Sequence, residues 1–212
     1  METLLAVVTF FVLYSTWLLL TGYGVFSVVN ATNRYDHFSN LPRVAKGSII
    51  FVGDSLICGG EWNEIFPGAI SRGIMGQSST QLIDRLQTHY SDIRGCTIFL
   101  SIGTNDVLKS ALVCKAHDVV SRVRFIKQYF EGNDNRVFVC QISNLPVALD
   151  PLRTSLAVNR ELRAPIVWQT SAPGWIGSAH TLDGVHPSAA SYRLWAENCR
   201  RALLTPETLA ED

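Results

Sequence analysis

Neither sign of charge is in excess in this chain of 212 residues: 18 Lys and Arg balance 18 Asp and Glu, and the isoelectric point falls near 7.0. Such a balance offers no overall field to a polyanion, which argues against nucleic acid as a partner and for a neutral or locally recognised substrate. Cysteines are few and scattered. Cys58, Cys96, Cys114, Cys140 and Cys199 form no C-x-x-C pair and have no companion His at zinc-ligand spacing, so neither a metal nor any other cofactor is expected. An odd number of thiols cannot pair fully within one chain, and Cys96 and Cys140 fall at or inside apolar runs, so reduced, packed cysteines are expected rather than a disulfide framework. The chain also lacks internal repeats, low-complexity stretches and any G-x-S-x-G elbow.

Charge is absent altogether from Thr3 to Asn33, and the core of that stretch, Leu4 to Leu20, is almost wholly apolar. Its length suits a helix crossing a bilayer, so residues 1–29 are expected to form an N-terminal membrane anchor. A cleaved signal peptide is the competing reading, but Met1-Glu2-Thr3 has no basic residue and no clear small-x-small site closes the apolar run. Arg34, Arg43 and Lys46 follow the span, which places the domain in the cytoplasm by the positive-inside rule. Residues 30–46 are polar and mixed and read as a linker, 47–204 as one catalytic-sized domain, and 205–212 as a flexible acidic tail.

Within the domain, short apolar runs read as strands: Ser48 to Val52, Ala69 to Ile74, Thr97 to Ile102, Arg136 to Ile142 and Ile166 to Gln169. Between several of them the pattern is helical. Val119, Val123, Ile126 and Phe130 recur on one face, with Arg122, Arg124 and Lys127 elsewhere; Ser79 to Tyr90, Pro151 to Leu162 and Ala189 to Leu204 are further helix candidates. Alternating strands and helices predict an α/β fold, a three-layer α/β/α sandwich around a central parallel sheet of about five strands. Ligands of such folds bind beyond the carboxyl ends of the strands.

Chemistry-bearing residues collect at those ends. Gly53-Asp54-Ser55-Leu56 puts a hydroxyl just past the first strand. A serine needs a base within hydrogen-bond reach, and the base needs a third group to fix its tautomer; Asp183-Gly184-Val185-His186-Pro187 offers both on one short loop. A tetrahedral intermediate also needs donors for its oxyanion. Ser71 to Ser78 places glycines where backbone N–H groups can approach a ligand, ahead of a helix, and Gly103-Thr104-Asn105-Asp106 offers the Asn105 amide.

Gly53-Asp54-Ser55-Leu56, Gly73 to Gly76, Gly103-Thr104-Asn105-Asp106 and Asp183-Gly184-Val185-His186-Pro187 resemble, in order and spacing, the SGNH/GDSL hydrolase superfamily, over about residues 47–204. The resemblance implies a flavodoxin-like sheet with Ser55 as nucleophile and, through its N–H, first oxyanion donor. Gly76 would be the second donor, Asn105 the third, His186 the general base and then acid, and Asp183 its orienting carboxylate. The compact segment Glu61 to Gly68 looks like the acetylesterase and platelet-activating-factor-acetylhydrolase-like branch, in which a periplasmic or extracellular site is common, against the positive-inside reading. Two positions depart from the pattern: Ser71 stands where family members often have Asn, and Gln77 where they often have Asp, removing a carboxylate from the second loop.

The implied activity is hydrolysis of a carboxylic ester, short-chain and acetyl above all, on a carbohydrate or lipid. A (lyso)phospholipase or thioesterase, a polysaccharide O-acyltransferase and an inactive scaffold on the same fold are the alternatives. Expected partners are the ester substrate and the membrane. Trp62, Trp175 and His180 are candidates to line the substrate pocket, with packing as the rival reading for each. Cys58 reads as a packed loop residue, and Asp106 as a helix cap and little else.

Overall fold

The computed structural model describes residues 33–110, 112–168 and 180–204. The chain divides into two compact units, Met1–Asn40 and Leu41–Asp212. In the first, residues 33–39 are helical, within the stretch read as a linker. Among the described residues no helix is long and apolar enough to cross a membrane, and the expected anchor over residues 1–29 lies outside them.

The second unit is built on four parallel strands, β1 (Ile49–Gly53), β2 (Ile70–Gly73), β3 (Thr97–Ser101) and β4 (Arg136–Val139), in the order β2-β1-β3-β4. Between and after them come helices α1 (Ser55–Cys58), α2 (Trp62–Ile65), α3 (Ser79–Asp84), α4 (Leu86–His89), α5 (Thr104–Lys109), α6 (Ala116–Glu131), α7 (Thr154–Leu162) and α8 (Ala189–Leu204). In that order the chain moves outward from β1 in both directions, so the crevice between the ends of β1 and β3 is the topological switch point.

Period-two alternation divides the strands between two cores. Ile50 and Val52 of β1, with Ile98 and Leu100 of β3, face α3, α4, α6 and α7, meeting Leu82, Leu86, Val123, Phe130 and Val158. Phe51 and Phe99 point the other way, into an aromatic core with Trp62, Trp168 and Trp195. Helices therefore cover both faces, and the helix α6 buries the Val119, Val123, Ile126 and Phe130 stripe read from its periodicity. The stretch Ser79 to Tyr90 is not one helix: at Arg85 the backbone turns to φ −101° and ψ 0°, separating α3 from α4.

Among the described residues the sheet has four strands, where about five were expected. Among its described residues, 166–168, the run at Ile166 makes an isolated parallel bridge, Cys140 to Ile166. Side chains bear on how far it pairs. Trp168 donates its backbone N–H to the Gln141 side chain at 3.2 Å, and its indole N–H takes the Gln141 carbonyl at 2.8 Å, so the groups that would extend a ladder are engaged elsewhere. Pro165, just before the bridge, has no N–H to give.

Of the two readings of Trp62, packing describes its place. It is 1% exposed, its ring stacks on Phe51 at 3.9 Å between centroids, and its indole N–H donates to the Ile57 carbonyl at 2.7 Å. It is a core residue.

Candidate active site

Ser55 is the first residue of α1, directly beyond the carboxyl end of β1. Asp54 caps that helix, accepting the Leu56 N–H at 3.0 Å, and Tyr192 from α8 holds it from outside through a hydrogen bond from its hydroxyl to the Leu56 carbonyl at 2.9 Å. The hydroxyl of Ser55 is thereby fixed in the crevice at the switch point.

His186 comes from the other end of the chain. Its Nε2 lies 3.0 Å from Ser55 Oγ, and its Nδ1 lies 2.6 Å from Asp183 Oδ2. The loop is stiffened locally. Leu182 donates to the His186 carbonyl at 2.9 Å, Thr181 bridges Pro187, and Gly184 takes φ +87°, a turn conformation that side-chain-bearing residues seldom adopt. The other oxygen of Asp183 accepts the N–H groups of Val185 and His186 at 2.9 and 2.8 Å. Burial alone would raise the Asp183 carboxyl; hydrogen bonds from His186 and Val185 outweigh it, and the net effect is a lowered pKa that keeps the group charged.

Two backbone donors on strand-end loops are uncommitted: the N–H groups of Ser55 and Gly76 have no hydrogen-bond partner among the described residues. Gly76 sits at φ +71° in the loop after β2, whose Ile74 N–H donates to the Gly53 carbonyl at 3.0 Å, tying that loop to the start of the Ser55 turn. Asn105, buried at the start of α5, donates one amide N–H to the Gln77 carbonyl at 3.0 Å, which orients its side chain against the same loop. Beside Asn105 opens a cavity of about 300 Å³ whose walls include Ser78, Thr80, Lys109, Val113 and Arg122.

Gln77, the departure from the family pattern, is 2% exposed and accepts a hydrogen bond from the buried Arg85, so the amide oxygen holds the loop where a carboxylate often stands. Asp106 does not cap its own helix, whose N-cap is Gly103 with no side-chain bond; its carboxylate turns to other elements. Its two oxygens accept the Ser79 N–H at 2.8 Å and the Ser79 hydroxyl at 2.7 Å, adding to the cap of α3 from 27 residues away, while Arg122 of α6 donates to it at 3.1 Å. Sequence reading missed this because the partners lie far apart in the chain. The place of His180 is set by its backbone: its carbonyl accepts from Ser188 N–H at 3.0 Å and Ser191 Oγ at 2.8 Å, framing the Asp183 to His186 loop. Trp175 lies outside the described residues. All five cysteines are free, with Cys96, Cys140 and Cys199 buried.

No family model matches the chain, and no curated protein matches it in sequence. Solved structures do match. A GDSL-like lipase from Bacteroides thetaiotaomicron aligns at a TM-score of 0.62 and 17% identity, over 82% of this chain and 97% of its own. A member of the lipolytic G-D-S-L family from Veillonella parvula gives 0.62 at 20% identity, over 76% and 100%. An acetyl-xylooligosaccharide esterase from Geobacillus gives 0.54 at 17% identity, over 78% and 98%. At these identities the likeness shows the architecture: the chain has the SGNH/GDSL hydrolase fold.

Proposed function

We propose that this protein is a serine esterase that cleaves a carboxylic ester through an acyl-enzyme on Ser55. The observation that carries the reading is the unbroken line from Ser55 Oγ through His186, at 3.0 Å, to Asp183, at 2.6 Å. In this reading His186 Nε2 takes the Ser55 proton as the oxygen attacks the acyl carbonyl, and Asp183 stabilises the imidazolium. The oxyanion is met by the N–H groups of Ser55 and Gly76 and by the Asn105 amide. His186 then gives its proton to the leaving alcohol. Water, activated by the same imidazole, releases the acid and restores Ser55.

A short acyl group, acetyl first, is the favoured substrate class, on a carbohydrate or lipid. Its support is the compact segment between Ser55 and Gly76, which leaves little chain for a lid, and the fold shared with an acetyl-xylooligosaccharide esterase. The uncharged stretch from Thr3 to Asn33 supports tethering of this activity to a membrane, which would also suit a lipid ester.

The test is fluorophosphonate labelling of the full chain together with release of p-nitrophenol from acetyl and longer esters, for the parent, Ser55→Ala and His186→Ala. The parent should label and turn over acetate fastest, and both variants should do neither. A folded parent that is inert in both assays would leave a scaffold on a hydrolase fold. Faster consumption of the ester on adding a glycan acceptor would move the reading to acyl transfer.

A further inference from the structure

The oxyanion loop is held from α5 at two adjacent points. Asn105 and Lys109 stand four residues apart on one face of that helix. Asn105 Nδ2 donates to the Gln77 carbonyl at 3.0 Å, and Lys109 Nζ donates to the Gly76 carbonyl at 2.7 Å. Upstream, the loop is fixed by the bond from Ile74 N–H to the Gly53 carbonyl. Between these anchors lies Gly76 itself.

That residue is the weak point of the loop. A glycine at φ +71° has no Cβ to restrict its neighbouring torsions, and a small rotation there would swing its N–H away from the position an oxyanion would occupy. The Lys109 bond is charge-assisted and half-buried, and no other hydrogen bond to the Gly76 carbonyl is found among the described residues. Helix α5 carries Asn105, the third donor of that reading, in its first turn and ends with the ammonium that fixes the second. One rigid element therefore sets both.

We propose that Lys109 is a positioning residue for catalysis, its ammonium clamping the Gly76 carbonyl so that the Gly76 N–H meets the oxyanion. This rests on the acyl-enzyme reading above. Lys109 touches no reacting atom, so its removal should act on the transition state through Gly76 and leave ground-state binding largely alone.

The experiment compares the full-length parent with Lys109→Met, Lys109→Gln and Lys109→Arg for p-nitrophenyl acetate hydrolysis, rate of fluorophosphonate labelling and thermal midpoint. Complete loss of an oxyanion donor costs roughly 100- to 1,000-fold, so misplacing one is expected to lower kcat about 10-fold or more in the Met and Gln variants. KM should stay within about twofold and the labelling rate should fall in parallel with kcat, because both reactions need the same donor. Lys109→Arg, which can still donate to the carbonyl, should recover most of the loss. Unchanged kcat in Lys109→Met overturns the proposal, as does a loss that tracks a fall in thermal midpoint and is not recovered by Arg. An inert parent would overturn the esterase reading and this one with it; an active parent indifferent to Lys109 overturns this one alone.

Discussion

The Asp183 carboxylate grips His186 at two points: Oδ2 lies 2.6 Å from the ring Nδ1, while Oδ1 accepts the His186 backbone N–H at 2.8 Å. The second bond fixes the distance between the two residues, and the first fixes the ring. Replacing the carboxylate by an amide keeps the size and can keep the backbone bond, but removes the negative charge opposite the imidazolium. Asp183→Asn is therefore expected to lower kcat by roughly 1,000- to 10,000-fold with little change in thermal midpoint. Because the hydrogen bonds depress the Asp183 carboxyl, its charged form is present above the ordinary carboxylate range and is lost only as pH falls through the lowered value. Kinetics of the parent should accordingly show no acid limb from this group near pH 4, roughly where a free carboxyl titrates.

Trp62 tests whether a tryptophan between the first two sequence blocks serves packing or substrate. It is enclosed by Phe51, Tyr192 and Trp195, with its indole N–H satisfied by the Ile57 carbonyl. Trp62→Ala should cost about 3–5 kcal/mol of stability, as large-to-small changes at buried aromatic sites do, and Trp62→Phe distinctly less. Urea unfolding reads the cost. The KM for a short ester, measured where each variant is folded, should be unchanged, and a raised KM with intact stability would restore the substrate role.

Three members of the candidate site were legible because each follows a strand. Ser55, Gly76 and Asn105 stand beyond β1, β2 and β3, where a short apolar run ending in Gly, Ser or Asn marks both a strand end and a turn. Asp183 and His186 carry their own geometry in a three-residue spacing. Other features have no local signature. Ile166 begins an apolar run like any strand, and its bonds to Gln141, far away in sequence, bear on how far it pairs. Trp62 lies in a helix of four residues, too short for periodicity to say which way it faces. Lys109 was overlooked although its spacing from Asn105 would have placed both on one helix face.

Asp106 joins three elements whose contacts cross long stretches of chain. Its carboxylate side chain is 5% exposed and adds to the Ser78 cap of α3 by accepting the Ser79 N–H, while Arg122, 31% exposed, ties α6 to the same point. Asp106→Ala leaves the Ser79 N–H without its acceptor and the guanidinium without its counter-charge, and is expected to destabilise by about 2 kcal/mol or more. Arg122→Gln keeps the cap and removes a partly solvated charge, so it should cost less, about 1 kcal/mol or below. Chemical unfolding of the two variants gives the order. Equal losses would mean that the ion pair, and not the cap, carries the contribution of Asp106.

Asp54 is the other buried acid of the site, and its cost to the fold depends on pH. It is 0% exposed; one oxygen accepts the Leu56 N–H, and no hydrogen bond to the second is found among the described residues. Burial pushes its pKa up to about 7, and the Asp106 carboxylate nearby adds to the effect while the Leu56 amide opposes it. In the unfolded chain an aspartate titrates near 3.9, so between about pH 4 and 7 the folded state holds a proton that the unfolded state has released. The unfolded state binds fewer protons there, and stability must fall as pH rises across that window. At one pKa unit per roughly 1.4 kcal/mol, the full penalty above pH 7 is of order 4 kcal/mol. Asp54→Asn removes the titration but keeps an acceptor for Leu56. Its second group, now an amide, remains buried without a partner among the described residues, so the variant is expected to be less stable than the parent near pH 4. That deficit should shrink, and can reverse, by pH 8, where the parent must hold a buried charge. Thermal or urea unfolding of both proteins at several pH values measures the difference directly. A stability gap independent of pH would mean that Asp54 is ionised at the same pH in the folded and unfolded states, and that its burial is compensated within the turn that presents Ser55.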